Sequence, residues 1–202
     1  MKRVIFSEGK NDTIFLRELL VTKIGIDEER ISFFDQSPTN THDNRKPLQE
    51  LSFEGLNDEW RRLEILAKSE GGKPKIIDIA TSMLIHLCQK RYDPIILIDL
   101  DNQTIDNFKN KLEAKLIGNF KCIKLSLESS KVSTNNEEDM WKIKLFKSSE
   151  YIGSVHIVAF KTTLEDVTKI NPSHTDDEKR KLAKEYIQTC RIHDMFIDAM
   201  NA

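Results

Sequence analysis

The stretch Ile95-Ile96-Leu97-Ile98-Asp99-Leu100-Asp101 decides the fold of this chain. Four apolar residues in a row leave no polar face, which marks a strand covered on both sides in a parallel sheet. The run closes in acids, Asp99-Leu100-Asp101-Asn102-Gln103, and a helical pattern follows with Phe108, Leu112 and Leu116 in register and Gly118 as its stop. Just upstream, Asp93-Pro94 reads as a turn. Residues 81–91 read as a helix with Met83, Leu84, Leu87 and Cys88 inward. Lys75-Ile76-Ile77-Asp78-Ile79 reads as another strand.

The same alternation extends towards both ends. Val4-Ile5-Phe6 is a short strand, Ser7 to Asp12 a tight turn, and Ile14, Phe15, Leu19 and Leu20 recur at helical spacing up to a C-cap at Gly25. Ile31-Ser32-Phe33-Phe34 is a second strand, and the polar residues 35–47 an exposed loop. Over 58–68, Trp60, Leu63, Leu66 and Ala67 share a helical face, which Gly71-Gly72 ends. Beyond the centre, residues 122–127 alternate like a half-buried strand, 129–136 read as a polar loop and 137–146 as a helix. Residues 155–160 form the last strand. Thr175-Asp176-Asp177-Glu178 is a capping box. It opens an amphipathic tail with Leu182, Ala183, Tyr186, Ile187, Ile192, Met195 and Phe196, able to close the core or to meet a dimer partner. No internal repeat or low-complexity tract interrupts this pattern. Strands alternating with helices predict an α/β sandwich with a mostly parallel central sheet. The expected division is one domain over 1–170, with a polar and helical insert at about 35–72, and a helical tail over 171–202.

Composition narrows the function. Of 202 residues, Lys and Arg number 31 and Asp and Glu 33, a formal charge of −2, which excludes a generally basic nucleic-acid coat but not a local basic groove. At 39% hydrophobic and 32% charged, the chain has a real core under a heavily charged surface. No run approaches the roughly 18 apolar residues of a membrane span, and Glu8 comes too early for a signal-peptide core. Cys88, Cys122 and Cys190 lie far apart with no CxxC, which points to a reducing, cytoplasmic setting.

In parallel sheets, sites form beyond the carboxyl ends of the strands. Two such ends carry acids: Glu8 and Asp12 after the first strand, Asp99 and Asp101 after the central one. Converging there, four carboxylates would repel one another by several kcal/mol in a low-dielectric cleft. A hard divalent cation, Mg²⁺ or Mn²⁺, removes that penalty and is the usual partner of phosphoryl chemistry. Asp-x-Asp at a strand end also serves plain loops, and Asp12 also suits the start of a helix as a cap.

Val4-Ile5-Phe6-Ser7-Glu8-Gly9-Lys10-Asn11-Asp12 resembles the first motif of TOPRIM domains, and the 95–101 strand resembles their second, the Asp-x-Asp motif. With Glu-x-x-x-Asp, the chain is most similar to the TOPRIM of OLD-family nucleases and to small stand-alone TOPRIM proteins, over residues 1 to about 160. The resemblance implies a compact, Rossmann-type fold and Mg²⁺-dependent phosphodiester chemistry. It makes Glu8 a metal ligand or general acid/base, Asp99 and Asp101 metal ligands, and Asp12 a holder of a second ion. It also makes Lys161 a transition-state stabiliser and Glu165 an extra ligand, beside the simpler reading of Glu165 and Asp166 as acids on a helix dipole. Lys10, between two of the acids, is either a phosphate contact or an exposed turn lysine.

The chain departs from that family in carrying Asn102-Gln103-Thr104 where many members place a glycine. It also has no P-loop: Gly71-Gly72-Lys73-Pro74 reads as a turn, since no helix is expected to begin there. The five histidines show no metal spacing; His86 and His156 read as satisfied core residues. Trp60 and Trp141 read as packing, and Lys142, Lys144 and Lys147 as a modest basic helix face. Three functions then stand open: a magnesium-dependent nuclease on DNA or RNA, aided by a homodimer partner or a separate ATPase; a non-catalytic module binding nucleic acid or another subunit; and a phosphoacceptor, against which the acidic pair lies on a central strand.

Overall fold

The computed structural model describes residues 3–34, 63–89, 91–101, 104–119, 125–134 and 137–201. Its centre is a seven-stranded sheet: β1 (Arg3–Ser7), β2 (Ile31–Phe34), β3 (Ile65–Ser69), β4 (Asp93–Asp99), β5 (Leu125–Thr134), β6 (Glu138–Lys147) and β7 (Glu150–Phe160). The order across the sheet is β2-β3-β1-β4-β7-β6-β5. The first five in that order run parallel, and β6 and β5 continue the sheet as antiparallel hairpins. The predicted α/β sandwich with a mostly parallel sheet is therefore the observed fold. No helix among the described residues is long and apolar enough to cross a membrane.

Strand periodicity sorts the core into two layers. Val4, Phe6, Leu66, Ile96 and Ile98 face one side, under α2 (Lys73–Gln89) and α3 (Ile105–Asn119). Ile5, Ile65, Ala67, Ile95 and Leu97 face the other, under α1 (Lys10–Arg17) and its π-helical continuation Glu18–Ile24. That second layer is completed by α4 (Leu164–Thr168), α5 (Asp176–Thr189) and α6 (Ile192–Asn201). The tail thus closes the core: Ile192 and Phe196 are wholly buried, each worth about 1.5–3 kcal/mol of apolar transfer. The Thr175–Glu178 capping box forms as expected, and Gly25 ends the first helix in the left-handed region at φ 82°.

Four local expectations are corrected. Residues 75–79 belong to α2, not to a strand, because Ile76, Ala80, Leu84 and Leu87 continue at helical spacing and are all fully buried. The 58–68 helix gives way to β3 at Ile65; residues 58–62, Trp60 included, lie outside the described residues. Lys68 disguised that strand, being a wholly buried lysine paired at 2.7 Å with a wholly buried Glu70. The expected polar insert thus ends in a strand of the central sheet. In place of the expected helix over 137–146 stands β6, Glu138–Lys147, with Trp141, Ile143 and Leu145 towards one layer and Met140 towards the other, a period of two. By that alternation Lys142 and Lys144 share a face and Lys147 takes the opposite one. Finally, most of the expected 129–136 loop is β5, which begins at Leu125; residues 120–124, with Cys122, lie outside the described residues. Cys88 and Cys190 are buried.

Candidate carboxylate site

From β1 the chain moves to β2 and β3 on one side, then crosses β1 through α2 to reach β4 on the other. The reversal opens a crevice beyond the carboxyl ends of β1 and β4, where α/β sheets place their sites. With Phe6 paired to Ile96, Glu8 and Asp99 emerge side by side, and the Asp99 amide donates to Glu8 Oε1 at 2.9 Å. Asp99 Oδ1 in turn accepts the Leu164 amide at 2.9 Å, from the start of α4 beyond the neighbouring β7.

Asp12 is buried in the first turn of α1, where Oδ2 accepts the amides of Glu8 at 3.0 Å and Gly9 at 2.7 Å. It caps its own helix and, in the same act, fixes the turn that carries Glu8. Glu165 reaches the same place from α4 and accepts from Asn11 Nδ2 at 2.8 Å. Glu8, Asp12, Asp99 and Glu165 line one cavity of about 480 Å³. Thr163 caps α4 as well, so Glu165 sits on a helix dipole and faces the cavity at once.

Crowding negative charge in a cleft shows in the acidities. Burial pushes the Asp12 carboxyl up to about 7, against the lowering pull of the Gly9 and Glu8 amides and with the charges of Glu8 and Glu165 adding to the rise. Asp99 goes up to about 8, again chiefly from burial, then from the charges of Asp12 and Glu8, with the Leu164 amide opposing.

The Asp-x-Asp pair is split. Asp101, in the left-handed region at φ 50°, turns outward with about half its side chain exposed and does not line the cavity. Lys73 connects it to the rest: its ammonium lies 2.6 Å from Asp101 Oδ2 and 3.1 Å from Glu8 Oε1. Burial acts to lower the pKa of Lys73, but the hydrogen bond to Asp101 and the charge of Glu8 outweigh it and hold Lys73 above the ordinary lysine value. Lys73 opens α2, which corrects the reading of Gly71-Gly72-Lys73-Pro74 as a bare turn. Proline fits the first helical turn, where its missing N–H has no partner to lose; that is the signal sequence reading passed over. The Gly72 amide bonds the Glu8 carbonyl at 3.0 Å, seating this helix start against the β1–α1 turn.

Two other lysines expected at the site turn elsewhere. Lys10 lines the cavity, but its exposed ammonium pairs with Asp176 at 3.0 Å. Lys161 is outside the cavity lining, its ammonium 3.8 Å from Asp139. Sequence reading missed Lys179, which α5 buries against the cavity in line with Ala183 and Ile187. That four-residue spacing was the available clue.

Among the described residues no three or more His, Cys, Asp or Glu stand in metal-holding geometry. The donor chemistry nevertheless suits a hard cation. Asp12, Asp99 and Glu165 each commit one oxygen, and Glu8 commits Oε1, so every one of the four keeps a second oxygen without a bonding partner among the described residues. No family model, curated protein or solved structure matches the chain.

Proposed function

We propose that this chain is a TOPRIM-type, divalent-metal-dependent nuclease hydrolysing nucleic-acid phosphodiesters. The observation that carries this reading is the gathering of Glu8, Asp12, Asp99 and Glu165 around one cavity in the β1–β4 crevice, with two of the carboxyls held well above their usual range. Such strain is the state that a bound cation relieves. Glu8, Asp12, Asp99 and Glu165 would hold Mg²⁺ or Mn²⁺, whose chemistry when bound is activation of a water and neutralisation of phosphoryl charge. The chain's own residues prepare the place. Asp12 locks the turn behind Glu8, the Asp99 amide orients the Glu8 carboxylate, and Lys73 puts a positive charge at the rim suited to a phosphate. With Asp101 bound to Lys73, its part as a ligand rests on the resemblance alone, and Lys161 is left out of the proposal. With a net charge of −2, binding to a long nucleic acid is expected to be weak without a second copy or a partner such as an ATPase.

The test is cleavage of single- and double-stranded DNA and RNA in Mg²⁺ and in Mn²⁺. Glu8→Gln and Asp99→Asn should each lower the rate by at least about a hundredfold, the scale on which single electrostatic contacts count in catalysis. Variants that cleave like the parent overturn the assignment. A second reading, a non-catalytic binding module, is favoured by one observation: Lys73 already neutralises Glu8 and Asp101. Calorimetry separates the two, since a module of that kind takes up no Mg²⁺ near the acids.

A further inference from the structure

On the far side of Asp99 from the carboxylate cavity, α2 and α3 enclose a second hollow of about 610 Å³, within the roughly 300–1,000 Å³ typical of small-molecule sites. The two hollows share Asp99, and Lys73 is among the residues that line the second. Its character differs from that of the first. Pro74 and Ile77 of α2, Leu100 after β4 and Phe108 of α3 make apolar walls, while Asn107 and Lys111 add polar groups. Across it Lys115 pairs with Asp78 at 2.9 Å, tying the two helices together. Lys111 has no carboxylate within salt-bridge distance among the described residues, so its charge remains available to an incoming anion.

We infer that this groove holds the base and sugar of an unpaired nucleotide whose phosphodiester lies at Asp99, which makes single-stranded nucleic acid the substrate class; the inference rests on the nuclease reading above. A flat, apolar base finds walls of Phe108, Ile77 and Leu100, a kind of contact indifferent to sequence. Its backbone then meets Lys111, which no carboxylate pairs among the described residues, and Lys73, whose ammonium already bridges Glu8 and Asp101. A base inside a duplex has both faces covered by its neighbours and enters a hollow of this shape only after unstacking. The chain's near-neutral charge fits as well: without a broad positive field, selection falls to a local apolar slot with a few charges beside it.

The experiment is fluorescence anisotropy with a 5′-fluorescein-labelled single-stranded octanucleotide and with a blunt duplex of the same sequence, in EDTA, so that neither metal nor cleavage enters. Two variants probe the slot from exposed positions on α3: Ala114→Trp, which fills it, and Lys111→Glu, which reverses its free charge. Phe108→Ala is avoided because Phe108 is part of the core. The single strand is expected to bind at least about tenfold more tightly than the duplex, and each variant to lose about tenfold in that binding with unchanged thermal melting. Equal binding of single strand and duplex overturns the proposal. So does an Ala114→Trp protein that binds the oligonucleotide like the parent, including one whose only change is in self-association, which would give the groove to a second copy. Loss of the nuclease reading shows instead as Glu8→Gln and Asp99→Asn proteins that cleave normally, an outcome independent of these binding curves.

Discussion

Asp99 at the end of β4 and His156 on the adjacent β7 are displaced in opposite directions by one cause. Burial disfavours charge, so the acid rises to about 8 and the imidazole falls to about 4, with Lys142 and Arg3 pressing His156 further down. His156 is in the core as expected, but among the described residues neither of its ring nitrogens has a hydrogen-bond partner. The consequences for stability have opposite signs. The folded state keeps a proton on Asp99 that the unfolded chain releases near pH 4, so its contribution is full in acid and is lost as pH rises through about 8. Metal-free protein should therefore lose stability between pH 5 and 8.5. Asp99→Asn, whose amide oxygen can still accept from Leu164, should melt a few degrees above the parent at pH 8.5 by differential scanning fluorimetry while abolishing cleavage. Saturating Mg²⁺ should raise the melting temperature of the parent but not of the variant, because it stabilises the folded state only where it binds. For His156 the unfolded state takes the proton first, so stability is present above about pH 6.5 and is lost as pH falls towards 4. His156→Leu should remove that acid-side loss; a variant whose melting falls with acid as steeply as the parent's would refute the account.

Elements were readable where a residue's neighbours in sequence are also its neighbours in space. The β1–α1 opening, the central β4, the helix over 105–119 and the capping box at Thr175 all follow from short-range pattern. Reading failed where burial on two faces removed the pattern, as in Ile65–Ser69 with its hidden Lys68–Glu70 pair, and where Ile76, Ile77 and Ile79 imitated a strand in the first turns of α2. One element contact is unusually tight. Gly153 lies in β7 beside the register shift opposite Leu145 and Phe146, at φ 156°, and a side chain there would meet the α2 residue Cys88 at 2.4 Å from its Cβ. Gly153→Ala should force α2 off the sheet and cost about 1–3 kcal/mol, with roughly 2–4 °C of melting temperature lost per kcal/mol in a chain of this size. Chemical denaturation checks the value. A Gly153→Ala protein as stable as the parent would mean that α2 sits less closely on β7 than described.

At the scale of the whole molecule, the helical tail is structure and not appendage. Phe196 and Ile192 fill the layer under β1, β3 and β4, and Lys179 brings the same helical unit to the carboxylate cavity. Phe196→Ala should cost about 3–5 kcal/mol in a urea melt. A loss below about 1 kcal/mol would show the tail to be loosely docked. The amino-acid sequence by itself determined that acids stand at the ends of apolar strands, because solvent exposure and strand burial are written residue by residue. Only the tertiary structure decided which of those acids meet. Glu8 and Asp99 are 91 positions apart, and their contact depends on β1 and β4 becoming neighbours through the crossing of α2. The start of α2 supplies the Lys73 that holds Asp101, and the pairing of β4 with β7 brings the helices after β7 to the crevice with Glu165 and Lys179. Closeness between distant segments is a property of how layers stack, and no local pattern along the chain records it.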